Sequence, residues 1–324
     1  MNILVTGGAG YIGSNTSHLL IDKGHEVTIV DNLIQGDEKL VPKKANFIKA
    51  DISDENKIKK ILQNKFDLVM HFAGLVKVEE SILHPKKYQE YNFEKAKIFL
   101  NLCLESDLNK LIFSSSAGVY GQTKEIKKIN ENDNLNPLNP YAETKYKFER
   151  YLLDLVEKKK LQCTILRYFN VAGADEKRRT GLISKGSNNL IKAACEVATK
   201  KRKKFIINGD DYGTKDGTPI RDFIHVTDLA EMHFIAAENL LIEQKSEIYN
   251  CGYGEGFSVK QVINEIEKIL ERDLNKEIGS RRAGDIEYSV ADVTKFKKKF
   301  KWQPKYNNLT LILKSALEWE KVCE

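Results

Sequence analysis

Short apolar runs separated by longer amphipathic stretches constrain the fold of this chain more than any other feature. The runs are "NILVT" (2–6), "EVTIV" (26–30), "NFIKA" (46–50), "DLVMHF" (67–72), "KLIFSSS" (110–116) and "CTILRYF" (163–169). Between them, segments such as 54–64, 86–105 and 141–160 carry helix-period apolar positions. Strand signals alternating with helix signals predict βαβ units and a parallel sheet. Runs of Val, Ile and Leu without strict polar alternation fit strands covered on both faces. After residue 170 the rhythm breaks. Residues 172–190, rich in Gly, Asn, Ser and charge, and "GDDYGTKDGTPIRD" (209–222) read as long loops, which in a compact protein usually carry function.

The first run leads directly into "TGGAGYIGS" (6–14). Gly7, Gly10 and Gly13 are spaced three apart, and Gly8, Gly10 and Gly13 also fit G-x-G-x-x-G. Such a turn between a strand and a helix lets the backbone approach a pyrophosphate at the positive helix N-terminus. The second run ends in Asp31, where a carboxylate accepts hydrogen bonds from a ribose 2′-hydroxyl and repels a 2′-phosphate. That pairing favours NAD over NADP. The expected architecture is α/β: a Rossmann-type doubly wound sheet with a smaller α/β lobe. Residues 1–170, with a return near 221–240, would form the NAD-binding domain, and 171–324 mainly the substrate-binding lobe. A chain of 324 residues is long enough for both.

Composition narrows the function classes. The net charge of +6 sits in lysine clusters such as 157–160, 200–204 and 297–299, yet 46 acidic residues are spread along the same chain. No aromatic residues interleave with the lysines, so solvated surface is expected rather than a nucleic-acid footprint. The five cysteines are widely separated and the six histidines show no H-x-x-x-H spacing, which argues against a metal site or a disulfide framework. No window approaches the ~18 apolar residues of a membrane span, and free thiols without an export signal point to the cytoplasm.

Chemistry is expected from two later segments. "SSSAGVYG" (114–121) closes a strand, so that Ser116 emerges at the edge of the sheet where open α/β folds bind ligands. In "NPYAETK" (139–145), Pro140 suits a helix start. Tyr141, Lys145, Phe148, Leu152 and Leu155 then fall on one stripe facing the protein body. A lysine there needs partners or a polar cavity. A cation within reach of the Tyr141 phenol would lower its pKa from ~10 and make it a usable base.

The glycine turn, strand-end serine and Tyr-x-x-x-Lys, in this order, resemble the extended short-chain dehydrogenase/reductase superfamily. The finer motifs are "VTGGAGYIGS", "DNL" (31–33), "HFAG" (71–74), "LRYFNVAGA" (166–174), "DGTPIRDFIHVTDLA" (216–230) and "RRAGD" (281–285). These resemble its UDP-glucose 4-epimerase family over essentially the whole chain.

The resemblance implies oxidation of a UDP-hexose at C4 by tightly held NAD and return of the hydrogen to the opposite face. Tyr141 would act as base, Lys145 would contact the nicotinamide ribose, and Ser116 would assist. It further places Gly7, Gly10, Tyr11, Ile12, Gly13, Asp31, Asn32, Asp51, Ile52, Phe72, Ala73, Gly74, Asn92 and Phe169 at the cofactor. Asn170, Asn189, Leu190, Arg221, Arg282 and Asp285 would hold the nucleotide sugar, and a homodimer through helices near 88–105 and 141–158 is implied.

Two departures stand out. Val76 precedes Lys77, where many relatives carry the lysine directly after the leucine, so how this segment meets the cofactor is open. Ser289 occupies a position often filled by a bulky aromatic, which leaves room for a 2-acetamido group and predicts action on UDP-GlcNAc/UDP-GalNAc as well. The rival readings are a dehydratase or decarboxylase on the same fold and a non-catalytic NAD-binding regulator. The first needs acidic groups where this chain has Ala117 and Gly118; the second would be expected to have lost the tyrosine or the lysine.

Overall fold

A computed structural model of the chain describes residues 1–123, 126–183, 188–282 and 284–323, so residues 184–187 of the loop expected over 172–190 lie outside the described residues. The chain divides into two compact units. The first comprises Met1–Tyr120, Asn134–Tyr168 and Ala230–Tyr249; the second comprises Gly121–Asp133, Phe169–Leu229 and Asn250–Glu324.

The first unit is built on a sheet of β1 (Asn2–Thr6), β2 (Glu26–Asp31), β3 (Asn46–Lys49), β4 (Leu68–His71), β5 (Lys110–Ser116) and β6 (Gln162–Tyr168). Its order is β3-β2-β1-β4-β5-β6, with Glu247–Cys251 beyond β6. The pairs among β1–β6 are parallel. The central runs became strands because both faces are covered: Ile3, Leu4, Val5, Ile29 and Leu68 are fully buried, whereas β3 at the sheet edge is only partly covered. One hydrophobic cluster joins Leu4, Val69, Leu111 and Ile165 of the sheet to Phe99, Phe148 and Leu152 of the helices. Burying each such side chain stabilises the fold by roughly 1.5–3 kcal/mol.

The segment expected as one amphipathic stretch over 86–105 is three consecutive pieces instead. Pro85–Gln89 and Lys95–Glu105 are α-helical, and Glu90–Glu94 between them is a π-helical turn. A π turn inserts an extra residue and re-aims its side chains. Here it carries Asn92, whose carboxamide is fully engaged. Its oxygen accepts from the Leu75 N–H (2.7 Å), and its nitrogen donates to the Leu75 carbonyl (2.9 Å) and to Thr144 Oγ1 (3.2 Å).

In the second unit Ile220–His225 is flanked by Gly256–Ser258, Tyr288–Ser289 and Asn170–Ala172. A second pair, Phe205–Asn208 with Lys276–Gly279, is parallel. The loop expected over 209–222 thus ends at Pro219, since Ile220, Arg221 and Asp222 already lie in a strand. Asp222, fully buried, ties this unit together by accepting the backbone N–H groups of Tyr253 (2.9 Å), Gly254 (2.8 Å) and Ala291 (3.1 Å).

Candidate active site

The glycine turn follows β1 and opens the helix Tyr11–Asp22. Gly7 has φ +72°, and a Cβ there would lie 2.5 Å from the Ala73 nitrogen. A Cβ on Gly13 would lie 2.3 Å from the Gly7 carbonyl oxygen, so neither position admits a side chain. The helix that follows has no capping side chain and no acidic residue in its first turn. The positive dipole end of such a helix favours an anion. Asp31 ends β2 and accepts from the Ala9 N–H (3.0 Å) and the Leu33 N–H (2.8 Å). Burial pushes the Asp31 carboxyl up, against these two bonds. A side-chain-free turn, an uncapped helix start and a carboxylate at the next strand end together fit a dinucleotide.

Asn32 and Asp51 are brought into contact, Nδ2 donating to Oδ2 at 2.9 Å. Asp51 also accepts from the Ser53 hydroxyl (2.7 Å) and N–H (2.9 Å), and from Lys95 Nζ (3.0 Å). Burial pushes this carboxyl up, but the Ser53, Lys95 and Asn32 bonds outweigh it and hold it at about 2. Ile52 is buried in the core cluster. Lys95 was not among the residues the sequence singled out; a single lysine in a helix carries no signal of a carboxylate 44 residues earlier. At the end of β4, Phe72, Ala73 and Gly74 run beside the Gly7 turn and the Asn92 carboxamide. Val76 is exposed, and Lys77 contributes its carbonyl to the Tyr88 hydroxyl (2.6 Å).

Ser116 ends β5, and its Oγ accepts from the Gly118 N–H (3.1 Å). Tyr141 lies in the first turn of the helix Pro140–Glu157. That helix starts where Asn139 Oδ1 accepts the Ala142 N–H (2.9 Å) and Pro140 supplies a preset φ. Lys145, 5% exposed, follows one turn later on the same face. Its ammonium donates to the Ser114 carbonyl (2.9 Å) and lies 5.0 Å from the Phe113 ring centroid.

The electrostatics of Tyr141 differ from expectation. Burial pushes the Tyr141 phenol up, and the opposing lowering comes from Ser116 rather than Lys145. Burial also lowers Lys145 to about 8, partly countered by Glu149. The side chains alone therefore leave the phenol above its ordinary value, because both members of the pair have lost solvent. His71, buried beneath them, is kept neutral by burial and by the Lys145 charge.

The sequence also missed Glu149 and Arg167. Arg167 donates to both Glu149 oxygens, with Nη2–Oε2 at 2.7 Å and Nε–Oε1 at 3.1 Å. Glu149 also accepts from the Ser115 hydroxyl, and Arg167 Nη1 donates to Tyr120 Oη (2.9 Å). A signal existed: Glu149 lies one turn beyond Lys145 on the same inward stripe, and Arg167 interrupts a strand otherwise buried on both faces.

The remaining predicted residues lie in the second unit. Arg221 Nη2 meets Asp285 Oδ1 at 2.5 Å, and Ser289 pairs with Arg221 across the strand ladder. Burial pulls the Arg221 guanidinium down, opposed by Asp285. Arg282 receives the Asp285 N–H on its carbonyl (3.2 Å). Asn170 pairs with Phe223 two residues along the same strand from Arg221. Asn189 caps the helix Leu190–Ala198, its Oδ1 accepting the Lys192 N–H, with Leu190 the first helical residue. Phe169 is buried, its N–H donating to the Cys251 carbonyl (3.0 Å). Beside this group Arg281 stacks 4.2 Å from the Tyr212 ring and bonds Asp211 (2.6 Å), a cluster the sequence did not flag.

A parallel sheet in this order, with a glycine turn after β1 and a Ser–Tyr–Lys set at the end of β5, defines a dinucleotide-dependent enzyme of the short-chain dehydrogenase/reductase type. The model of the NAD dependent epimerase/dehydratase family matches residues 3–252. UDP-glucose 4-epimerase of Halalkalibacterium halodurans is 40% identical over 322 residues, spanning 99% of this chain and 96% of that protein. Among solved structures, the UDP-glucose 4-epimerase of Stenotrophomonas maltophila with bound NAD and formylated UDP-arabinopyranose superposes with a TM-score of 0.95. It is 34% identical and covers 99% of this chain and 98% of that one. The UDP-Glc/GlcNAc 4-epimerase of Campylobacter jejuni is 41% identical, with a TM-score of 0.86 and 99% of each chain covered. The chain belongs to the NAD dependent epimerase/dehydratase family.

Proposed function

We propose that the protein inverts C4 of UDP-hexoses, interconverting UDP-glucose with UDP-galactose and UDP-GlcNAc with UDP-GalNAc through a transient 4-keto sugar. The observation that carries this reading is the buried Lys145 one helical turn beyond Tyr141, its ammonium held by the Ser114 carbonyl two residues before Ser116, in a chain 41% identical to a UDP-Glc/GlcNAc 4-epimerase. Bound NAD supplies the reversible two-electron oxidation at C4. The glycine turn and Asp31 would hold the dinucleotide, with Asp51, Asn32 and Lys95 around its far end. Tyr141 accepts the O4 proton as C4 is oxidised and gives it back as C4 is reduced, while Ser116 bridges phenol and sugar hydroxyl. Lys145 keeps a positive charge beside the developing phenolate. Net oxidation of the sugar is zero, so no external oxidant is consumed.

The second unit serves as the substrate-binding lobe in this reading. Arg221 and Arg282 face a diphosphate with planar forks suited to bidentate contact, and Asp285, Asn170, Asn189 and Leu190 surround the nucleoside and sugar. Ser289, small at the end of its strand, admits the 2-acetamido group. Ala117 and Gly118 have no proton to give or take, which weighs against dehydration or decarboxylation; retention of both Tyr141 and Lys145 weighs against a regulator without activity. A homodimer through the helices near 88–105 and 141–158, in the cytoplasm, accompanies this function. The exposed Leu83 and Ile98 nearby support the dimer, and no helix among the described residues is long and apolar enough to cross a membrane.

The test is incubation with each of the four UDP-sugars without added NAD, followed by separation of the products. C4 inversion of both the plain and the N-acetylated pair is expected. No inversion of any of the four overturns the reading, and inversion of UDP-glucose alone overturns the role of Ser289. A Ser289→Tyr variant should lose N-acetylhexosamine turnover at least ten-fold relative to UDP-glucose turnover; equal losses would remove Ser289 as the size determinant.

A further inference from the structure

We propose that Glu149 is a positioning residue for the proton-transfer group, tying the Lys145 ammonium and the Ser116 turn to one buried carboxylate. The inference rests on the function proposed above. Glu149 is 1% exposed, lies one helical turn beyond Lys145, and therefore hangs from the same face of the helix Pro140–Glu157. Its two oxygens engage Arg167 of β6 and Ser115 of β5. Ser115 and Arg167 are themselves direct neighbours in the parallel ladder, so the carboxylate spans two strands and a helix at one point.

The residues flanking Ser115 are those the chemistry needs. Ser114 offers the carbonyl that receives Lys145 Nζ at 2.9 Å, and Ser116 is the neighbour that draws the Tyr141 phenol down against burial. Ser115 commits its hydroxyl to Glu149, while Ser116, the last residue of the strand, has its Oγ at the Gly118 N–H beyond the strand end. Pinning Ser115 thus fixes both neighbours without occupying the reaction space. Arg167 carries the restraint onward to Tyr120, which ends the short turn that follows Ser116. The charged and titratable groups facing the carboxylate are Arg167 and Cys163 on β6 and Lys145 on its own helix. Lys145 in turn faces His71 on β4 and the Phe113 ring on β5. Glu149 is the acidic group that opposes the loss of the Lys145 charge to burial. A purely structural ion pair would hold the helix on the sheet and leave the lysine's titration alone. A positioning carboxylate sets both.

The experiment reads Lys145 itself as well as turnover. Protein labelled at lysine Cε is titrated by NMR, with Lys145→Met assigning the resonance, in wild type, Glu149→Gln and the double variant Glu149→Gln/Arg167→Met. The double variant removes both buried charges together and so avoids an unpaired guanidinium. Whichever variant folds should show the Lys145 titration lowered by about one pH unit. The alkaline limb of kcat for C4 inversion should move down by the same interval, and kcat at pH 8 should fall about five-fold with KM unchanged. Restoring the carboxylate as Glu149→Asp should return part of the shift. An unchanged Lys145 titration in a folded variant overturns the proposal. Failure of both variants to fold assigns the pair to the scaffold and also overturns it. Absence of C4 inversion by the wild type would overturn the proposed function alone, since the lysine titration is read independently of turnover.

Discussion

The two units hold carboxylates in opposite ways, half-buried in the first and fully buried in the second. In the first, Asp51 is met by a cation, Lys95, and by Ser53 and Asn32, and its pKa falls to about 2 although burial alone would raise it. In the second, Asp222 is hydrogen-bonded by three backbone N–H groups, with the Lys297 charge a smaller, longer-range influence; burial dominates them and pushes it up to about 6. Neutral donors, even three of them, do not replace the solvation a carboxylate loses when fully enclosed. The first unit keeps charge where the proposed chemistry uses it, at Lys145, Glu149 and Asp51. The second uses a carboxylate as a knot for the backbone.

The sharpest way to break this comparison is to remove one group of each kind. Tyr141→Phe keeps the shape of the helix and should lower kcat about 10³-fold, with UDP-sugar affinity nearly intact. Near-normal turnover would show that the chemistry is not housed in the first unit. Asp222→Ala should instead leave three N–H groups unsatisfied and destabilise the protein by about 3–4 kcal/mol. Urea unfolding measures this, and a loss below about 1 kcal/mol would mean that water replaces the carboxylate. Arg221→Lys separates binding from chemistry. It keeps the charge opposite Asp285 but loses the planar fork, so KM for UDP-sugars should rise about ten-fold with kcat little changed. A fall in kcat with unchanged KM would move Arg221 out of the binding role.

The pH dependence distinguishes the two carboxylates by sign. Asp51 binds fewer protons in the native state than in the unfolded chain between about 2 and its ordinary 3.8. The stability it contributes is therefore present above pH 3.8 and lost as pH falls through that window. Asp222 binds more protons in the native state between 3.8 and about 6, so its contribution declines as pH rises through that interval. In thermal melts, Asp222→Asn should therefore show a steeper gain of stability from pH 4 to 6 than wild type. Lys95→Met should weaken the loss below 3.8, and parallel curves for all three proteins would contradict both assignments. The smallest effect expected is at the helix start, where Asn139→Ala should cost about 1 kcal/mol by removing the cap on the Ala142 N–H.

Much of the first unit was legible in the sequence because its structure is local. β1 (Asn2–Thr6) and β5 (Lys110–Ser116) run as their apolar patterns indicated, and β2, β3, β4 and β6 differ from theirs by one residue at one or both ends. The Gly7–Gly13 turn and the Tyr141–Lys145 spacing were visible because one strand, one turn or one helical repeat generates them. The π turn at Glu90–Glu94 was not visible, since its apolar spacing mimics an α-helix and it is fixed by Asn92 reaching Leu75 and Thr144. In the second unit the strands Asn170–Ala172 and Tyr288–Ser289 pair with Ile220–His225 across 53 and 68 residues, and two of the three are too short to carry a period.

The sequence by itself determined the class of fold, the dinucleotide turn and the identity of the serine, tyrosine and lysine at the candidate active site. Each follows from residue type and short spacing, and physical chemistry acts on these directly. Only the tertiary structure decided what charges those groups carry. It set Lys145 near 8 rather than above 10, raised the phenol beside it, and brought Glu149, Arg167 and Lys95 to partners 18 to 44 residues away. The reason is solvation: a side chain's titration depends on what replaces the water around it, and those neighbours are chosen by the folded chain rather than by adjacent residues.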